Sequence, residues 1–331
     1  MRTIKLLALA ALAVTLSSCK AGRTKTLLPN VSGKAGEIIV VIDKDAWEGN
    51  EGAAIREILG GDCPYLAQRE PLFNVANVPP GSFTNLFKVH RNILLMNVNP
   101  QNVKEGMVCQ QDKWAQPQSL VQINAFDSES AIALLKENGP VIQEFFEQAE
   151  RNRIIANAKR FEETSIRPAV EKMTGGTMVF PSGFRLKKVT DDFLWIADVK
   201  QYTNQEVLIY RYPALRTDED FNLGTIIAKR NEIMKANVPG MFENTYMTTS
   251  AAITPTAVSK KYRGIPFMET RGFWEVYNDY MGGPFVSHSF YSKDGNDIIV
   301  IEAFVYAPKF DKRQLLREVE SLLFSFEWKK D

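Results

Sequence analysis

The β-like segments in the second half of this chain come in groups, and only one helical segment, predicted at residues 223–237, interrupts them. These segments are residues 184–189, 193–199 and 206–212 before the helix, and residues 246–253, 267–277, 285–291 and 298–306 after it. Parallel βαβ units would need a helix between successive strands, so this grouping favours antiparallel pairing. We therefore predict the α+β class, with two subdomains that each contain a mainly antiparallel sheet covered by helices.

A long amphipathic segment marks the change from one half of the chain to the other. Apolar residues recur at helical spacing within residues 141–161, and charged residues fill the other face, which we interpret as solvated surface. Gly139 and Pro140 are expected to end one helix and begin this one, because proline fits a first helical turn. We place the N-terminal subdomain, which ends in this helix, at residues 37–174 and the C-terminal subdomain at residues 175–331.

The two halves also share an order of elements. A strand, a short polar loop and a helix follow one another at residues 120–146 and again at residues 298–324. A diverged duplication would explain this repeat, and chance would explain it as well.

The start of the chain carries signals of export and of lipid attachment. A basic beginning precedes an apolar run at residues 6–16, as in a secretory signal peptide. Leu-Ser-Ser-Cys at residues 16–19 resembles the lipobox of bacterial lipoproteins, and this resemblance implies that the signal peptide is residues 1–18 and that Cys19 is acylated. An ordinary signal peptide with a chance cysteine is the alternative. Residues 19–36 are predicted to be a flexible tether.

The charge balance limits the kinds of partner that the chain can have. The sequence contains 40 Lys and Arg residues against 39 Asp and Glu residues, which gives no electrostatic reason to expect a nucleic acid. No apolar run after the signal approaches the roughly 18 residues that a membrane span needs. The predicted partners are therefore the membrane, through acylated Cys19, and an unknown envelope protein or small ligand.

Two cysteines remain after Cys19, namely Cys63 and Cys109. Thiols tend to be oxidised outside the cytoplasm, so a disulfide between them is one expectation. Two buried free thiols are the alternative.

Common catalytic signatures are absent from the sequence, including the nucleophile elbow, the Walker loop and the zinc-protease motif. The chain has only two histidines, His90 and His288, so it predicts neither a histidine-rich metal centre nor a cofactor site. Scattered carboxylates leave open a hydrolase that acts on glycan or peptide. These observations favour a non-enzymatic role without deciding the question.

Polar and aromatic residues concentrate in two stretches, residues 87–94 and residues 271–288. One interpretation of the second stretch is a twisted hairpin whose aromatic residues belong to the core. The other is a groove in which aromatic rings stack on a ligand while polar side chains orient it. Successive residues of a strand alternate faces, so Arg271 and Trp274 could share such a groove only around a strand edge or a bulge. The candidate ligand-binding residues are Arg91, Arg271, Trp274, Asn278, Asp279 and His288.

Several short motifs resemble those of an uncharacterised domain-of-unknown-function lipoprotein family of Bacteroides-type bacteria. The motifs are Arg271-Gly272-x-Trp274, Met-Gly-Gly-Pro-Phe-Val-Ser-His at residues 281–288, Ala-Phe-Val-Tyr-Ala-Pro at residues 303–308, Lys312-Arg313, Arg91-Asn92-Ile93-Leu94 and Gln68-x-Glu70-Pro71-x-Phe73. The resemblance implies a lipoprotein of the cell envelope, and it supplies no catalytic residue or cofactor. No acidic run follows Cys19, which by the same resemblance favours a periplasm-facing protein on the outer membrane over a surface-exposed one.

The main functional hypothesis is a membrane-anchored envelope lipoprotein that binds a ligand or a protein partner without catalysis. A hydrolase and a structural subunit of an envelope assembly are the alternatives.

Overall fold

The computed structural model describes residues 27–329, and it confirms the α+β class with two main sheets. The helices are α1 (Lys44–Glu48), α2 (Asn50–Gly60), α3 (Asn85–Lys88), α4 (Ser128–Arg160), α5 (Arg167–Thr174), α6 (Leu223–Asn237) and α7 (Arg313–Leu323). The strands of the first sheet are β1 (Glu37–Val41), β2 (Asn74–Val78), β3 (Asn92–Val98), β4 (Gly106–Gln111) and β5 (Ser119–Ala125). The strands of the second sheet are β7 (Arg185–Val189), β8 (Phe193–Val199), β9 (Asn204–Pro213), β10 (Met247–Thr249), β11 (Thr256–Tyr262), β12 (Ile265–Val276), β13 (Gly282–Tyr291) and β14 (Asp297–Tyr306). A small ribbon pairs β6 (Gly176–Thr177) with β15 (Glu327–Trp328).

The N-terminal sheet corrects one part of the expected architecture. Its strand order is β2-β1-β3-β5-β4, and only β4 runs antiparallel to its neighbour. The expectation of a mainly antiparallel sheet is therefore wrong for this half. The physical reason is burial on both faces: helices α2 and α4 cover one face, and a second apolar cluster with Phe83, Phe87 and Trp114 covers the other. Continuous apolar strands such as β1 are typical of parallel sheets that are covered in this way.

The C-terminal sheet is antiparallel, as the grouped strands predict. Its order is β10-β12-β13-β14-β9-β8-β7, with β11 paired on β12. Helices α5 and α7 cover one face, and helix α6 covers the other. The two sheets share neither strand order nor strand direction, so the topology gives the proposed duplication no support.

Helix α4 runs without interruption through Pro140, although the sequence predicts a break there. Asp127 begins the helix with a capping box, in which its side chain and that of Ser130 bond each other's backbone N–H groups. Gly139 is buried against Ile58 of α2, where an added Cβ would lie 3.4 Å from the nearest side-chain atom. This close packing between helices offsets the one backbone hydrogen bond that the proline removes.

The helix also joins the two apolar cores. Ile142 and Phe146 pack in the N-terminal core, whereas Ile155 and Ala158 pack in the core beneath the C-terminal sheet. Helix α5 packs in that second core as well, through Val170 and Met173. The predicted boundary at residues 174/175 stays a prediction. Helix α5 precedes this boundary in sequence, but it packs in the core of the C-terminal half.

The proposed tether is only partly described, and the described part is not free. Residues 1–26 lie outside the described residues, and with them the predicted signal peptide and Cys19. Asn30 and Ser32 form β-bridges with Gln116 and His90, and the N–H of Ser32 donates to the carbonyl of Val89 at 2.8 Å. Residues 29–32 and Gly36 are therefore held by backbone hydrogen bonds and β-bridges to the N-terminal half. Within residues 27–329, no helix combines the length and the apolar character that crossing a membrane requires.

Candidate functional site

The predicted site residues do not form a common groove. Trp274 is buried in the core under α6, where it is 2% exposed and packs edge-on against Phe304. Asn278 and Asp279 lie in the turn between β12 and β13, and Asn278 adopts a left-handed backbone conformation with φ of 61°. The groove formed by Arg271, Trp274, Asn278, Asp279 and His288 is therefore corrected to a hairpin in which Trp274 is scaffold. The alternation of strand faces is the physical reason.

Arg271 and His288 do approach each other, through Glu269. Arg271 Nε donates to Glu269 Oε1 at 2.7 Å, and its guanidinium also contacts Glu320 of α7. The other carboxylate oxygen of Glu269 lies 3.8 Å from Nε2 of His288. Burial opposes ionisation of Glu269, but nearby His288, Arg271 and Lys260 hold the pKa of its carboxyl well below the usual range. This cluster fastens β12 and β13 to helix α7.

His288 is enclosed by apolar rings. Its imidazole lies 4.1 Å from the Phe267 ring and 4.7 Å from the Phe324 ring, measured between centroids. Burial lowers the pKa of His288 below the ordinary value, although Glu269 acts in the opposite direction. A neutral, enclosed imidazole of this kind serves packing, and it presents no open face to a ligand.

Arg91 belongs to a different place, a cavity of about 520 Å³ between the two halves. We call it the interdomain cavity. It is lined by the chain start, the loops that contain Arg91 and Pro117, the end of α4, residues 181–184, the β8–β9 hairpin and α7. Its lining includes Val31, Ala35, Arg91, Glu150, Arg153, Asp198, Lys200 and Gln314. Its volume is typical of sites for small molecules.

Glu150 is the central acidic group of the interdomain cavity, and it is 1% exposed. Its Oε1 accepts hydrogen bonds from Asn92 Nδ2 at 2.7 Å and from Arg153 Nη1 at 3.0 Å. The Nε of Arg91 lies 3.5 Å from the same oxygen. Its second oxygen, Oε2, is buried and accepts no hydrogen bond from any residue in 27–329. A buried carboxylate oxygen without a donor is costly, so this atom marks a place where a donor would bind.

Arg153 holds the carboxylate of Glu150 and is itself fixed by backbone carbonyls. Its Nε donates to the carbonyl of Pro117 at 3.0 Å, and its Nη2 donates to the carbonyl of Arg91 at 2.8 Å. Burial lowers the pKa of Arg153 to about 10, which still leaves the guanidinium charged at neutral pH. Arg153 thus holds Glu150 in one orientation, and its own donors are already occupied.

The other polar groups around the interdomain cavity are of two kinds. Asp198 is paired with Lys200 at 2.8 Å, and Glu318 accepts from Gln205 and Gln314. By contrast, Oε1 of Gln314 is buried and lacks a partner among residues 27–329. Apolar side chains complete the wall, including Ile154, Phe184 and Leu322. Three buried atoms of residues that line the cavity therefore have no hydrogen-bond partner among residues 27–329: the acceptors Glu150 Oε2 and Gln314 Oε1, and the donor Arg91 Nε.

Sequence reasoning placed Glu150 on the solvated face of the long helix, which the structure corrects. Glu150 and Arg153 follow Phe146 by four and seven residues, so they share the helical stripe of a buried aromatic. That spacing was the available signal. The spacing predicts that the polar side chains of Glu150 and Arg153 face the core, where they need hydrogen-bond partners.

The predicted disulfide is corrected as well, because Cys63 and Cys109 are both free thiols. The N–H of Cys63 donates to the carbonyl of Glu70 just before edge strand β2, whereas Cys109 lies on β4 at the opposite edge of the same sheet. Strands stand ~4.8 Å apart, so four steps separate the two edges by about 19 Å. A disulfide needs Cα atoms within about 7 Å of each other.

Groups of three or more His, Cys, Asp or Glu side chains that could hold a metal ion are not found within residues 27–329.

Comparisons with known folds add little to this geometry. The structure of the Saccharomyces cerevisiae Ran-binding protein Mog1p is 10% identical, with a TM-score of 0.31 over 46% of this chain and 90% of that chain. A structure from Bacteroides thetaiotaomicron is 12% identical, with a TM-score of 0.27 over 48% of each chain. Such low scores carry no argument about function. No curated protein matches the chain.

Two protein-family models match the chain, one for each half. Residues 31–159 match a domain of unknown function (DUF8532), and residues 163–325 match another domain of unknown function (DUF4837). The two matches meet just after helix α4, and together they span nearly all of the described residues. Each half of the chain therefore matches an uncharacterised domain family, as the resemblance of its motifs predicts.

Proposed function

We propose that this protein is a membrane-anchored envelope lipoprotein that binds a small ligand in the interdomain cavity, without catalysis. The observation that carries the proposal is the unpartnered Oε2 of Glu150, a buried acceptor held in place by Asn92 and Arg153 at the wall of a cavity of about 520 Å³. A ligand that donates a hydrogen bond to this oxygen would remove the cost of leaving it unpaired.

The surroundings define the chemistry of such a ligand. Glu150 and Gln314 each have an unpaired acceptor and Arg91 has an unpaired donor, so the ligand carries N–H or O–H donors together with an acceptor. Ile154 and Leu322 provide apolar contact beside them, so the ligand also has an apolar part. An amphipathic molecule with an amine or hydroxyl group fits both features.

The proposed location follows from the start of the sequence. Acylation of Cys19 would fix the protein to a membrane, and two or more acyl chains make such attachment stable. We place it on the outer membrane, facing the periplasm. Replacing Cys19 by Ser should abolish incorporation of radiolabelled palmitate and release the protein from the membrane fraction, and retention of both by the variant would refute the anchor.

The ligand proposal is tested by native mass spectrometry of the protein extracted from its own envelope in mild detergent. The wild-type chain should carry a small-molecule adduct that Ala35→Trp lacks, because Ala35 lines the interdomain cavity and the bulky indole would take space that the ligand needs. Ala251→Trp is the matched control, since Ala251 is exposed and lies outside this cavity. The control should keep the adduct. Absence of an adduct on the wild-type protein, or equal adducts on all three, would refute the proposal.

A further inference from the structure

One end of the C-terminal sheet exposes a row of large apolar side chains. They lie in the loop before β10, in the β12–β13 turn, in the segment after β14 and in the β8–β9 turn. The residues are Tyr202, Met241, Phe242, Tyr277, Tyr280 and Phe310, and we call them the aromatic rim. All are more than two-fifths exposed, and Tyr280 is fully exposed. Clustered exposed side chains of this size mark interaction surfaces in soluble domains.

The strand register shows that these loops share one end of the sheet. Met247 of β10 pairs with Val276 of β12, and Glu275 pairs with Gly282, which places the loop before β10 beside the β12–β13 turn. Tyr306 at the end of β14 pairs with Asn204, where β9 leaves the β8–β9 turn. The Tyr246 and Tyr277 rings stack with centroids 5.0 Å apart, which joins two of the loops directly.

The turns at the other end of the sheet have a different character. The β7–β8 turn contains Asp191 and Asp192, both exposed, and the β13–β14 turn contains Asp294 and Asn296, which bond to each other. These turns are built from short polar residues. An aromatic composition is therefore not a general property of the turns of this sheet.

The start of the described chain lies at the same end as the aromatic rim. Val31 and Ala35 line the interdomain cavity together with Asp198 and Lys200, and Lys200 begins the turn that contains Tyr202. A fully extended chain covers at most ~3.6 Å per residue, so Cys19 lies within about 29 Å of Leu27. An anchor at Cys19 therefore keeps the start of the described chain, which lies at this end of the sheet, within about 29 Å of the lipid.

We infer that the aromatic rim rests on the surface of the bilayer in which Cys19 is anchored. Tyr, Phe and Met side chains suit the boundary between headgroups and acyl chains, where an apolar ring is buried while a phenol hydroxyl stays hydrated. Lys309 lies 4.1 Å from the Tyr202 ring, and Lys235 lies 5.0 Å from the Tyr246 ring. Their ammonium groups are placed to reach lipid phosphates beside the rings. This inference rests on the proposed lipid anchor, and it adds an orientation that the anchor alone does not give.

The orientation brings the mouth of the interdomain cavity near the membrane. Lys200 and Gln314 line the interdomain cavity, and both also line an open groove that contains Tyr202 and Phe310 of the aromatic rim. A ligand that partitions into lipid would therefore reach the cavity along the same face that contacts the bilayer. A soluble protein partner on the rim is the competing occupant.

The test uses the lipidated full-length protein in vesicles of phosphatidylethanolamine and phosphatidylglycerol, made with and without brominated acyl chains. Tyr280→Trp places an indole on the aromatic rim, and Leu215→Trp places one on an exposed position at the opposite end of the sheet. The fluorescence of each variant is taken as its difference from the wild-type protein, which has its own five tryptophans. Brominated lipid should quench the added Tyr280→Trp signal and leave the Leu215→Trp signal unchanged.

Equal quenching of both variants, or quenching of neither, would overturn the inference. The second of these outcomes would favour a protein partner on the rim. Flotation of the same vesicles tests the lipid anchor independently of the aromatic rim. Wild-type protein that fails to float with the lipid would refute acylation of Cys19. In that case, vesicles added to the unanchored protein still decide whether lipid touches Tyr280→Trp more than Leu215→Trp.

Discussion

Glu70 accepts the backbone N–H of Arg313 at 2.8 Å, although the two residues belong to different halves of the protein. Its other oxygen accepts the N–H of Lys312 at 2.7 Å. A carboxylate from the N-terminal half thus satisfies two donors at the start of helix α7, where the helix dipole also favours negative charge. Arg313 returns a contact, because its guanidinium donates to the carbonyl of Pro71. Two motifs that are distant in sequence, the one around Glu70 and the Lys312-Arg313 pair, therefore contact each other where the two halves meet.

Removing this carboxylate should loosen the junction between the halves. Glu70→Ala leaves the buried N–H groups of Lys312 and Arg313 without acceptors, so we expect the free energy of unfolding to fall by about 1–3 kcal/mol. Urea denaturation followed by circular dichroism measures the loss. Glu57→Ala, at an exposed position on α2, is the control and should change stability by less than about 0.5 kcal/mol. An effect of Glu70→Ala no larger than that of the control would contradict this account.

Trp274 is expected to behave as core. Its ring packs against Phe304, and its Nε1 donates to the carbonyl of Val305 at 3.3 Å. Trp274→Ala should lower the free energy of unfolding by about 3–5 kcal/mol and reduce the yield of folded protein. Tyr280→Ala, in the same hairpin but fully exposed, should leave the free energy of unfolding nearly unchanged. Equal stability of both variants would place Trp274 outside the core.

A buried ion pair fastens helix α6 to the C-terminal sheet. Arg230 and Glu302 are 1% and 0% exposed, and they bond through Arg230 Nη2 at 2.7 Å and Nε at 2.9 Å. Arg230→Met leaves a buried carboxylate unpaired and should cost about 3–5 kcal/mol of stability, whereas Arg230→Met combined with Glu302→Leu should recover most of the loss. Both are measured by urea denaturation.

The neighbouring surface pair supplies a matched control for that measurement. Lys229 contacts Glu232 at 2.9 Å on the exposed side of the same helix. Lys229→Met should change stability by about 1 kcal/mol at most. If the double variant at Arg230 and Glu302 were as unstable as the single one, the buried pair would not act as an isolated unit.

The stability of the protein should fall between neutral and mildly acidic pH. Burial lowers the pKa of His288, and of the other histidine, His90, below the ordinary value of 6.5. The unfolded chain then binds more protons than the folded one below about pH 6.5, so the free energy of unfolding is greatest above this pH and decreases as the pH drops. Urea denaturation between about pH 7.5 and pH 5 measures this slope. His288→Phe should reduce it, and an unchanged slope would assign the effect to other groups.

The two cysteines should both react as thiols, at different rates. Burial raises the pKa of the Cys63 thiol to about 11, whereas Cys109 is exposed on edge strand β4. Iodoacetamide applied without reductant should therefore modify Cys109 quickly and Cys63 slowly, because the thiolate is the nucleophile. Intact-mass analysis over time follows both steps. A folded protein in which neither cysteine reacts, until a reductant is added, would restore the disulfide hypothesis.

Most strands and helices of the C-terminal half could be predicted from sequence, because the strands alternate or are β-branched and have clear turns. Strand β11 and the β6–β15 ribbon were not predicted. The strands of the N-terminal half, and their directions, were harder to predict from sequence. Strand β2 lies in a Pro-containing segment, residues 68–82, that predicts either extended chain or a loop. It pairs with β1 in parallel because α2 supplies a crossover. Strand direction depends on such distant packing, so local patterns could not give it.

The candidate site was predictable only in part, for a related reason. Arg91 was chosen from sequence and does line the interdomain cavity. The spacing of Glu150 from Phe146 could have placed it on the buried stripe of the helix, but no local pattern shows that Glu150 or Gln314 has an acceptor without a partner. The cavity itself is formed by seven segments that are far apart in the chain.

Helix α4 has a consequence for how this family can vary. Its 33 residues extend about 50 Å, and its first and last turns belong to different apolar cores. A fragment ending at residue 159 would carry Ile155 and Ala158 with their covering core removed, and a fragment beginning at residue 163 would lack them. Each half therefore depends on this last part of the helix to complete an apolar core. We expect the two halves to be inherited together, because separating them would require the end of the helix to be redesigned.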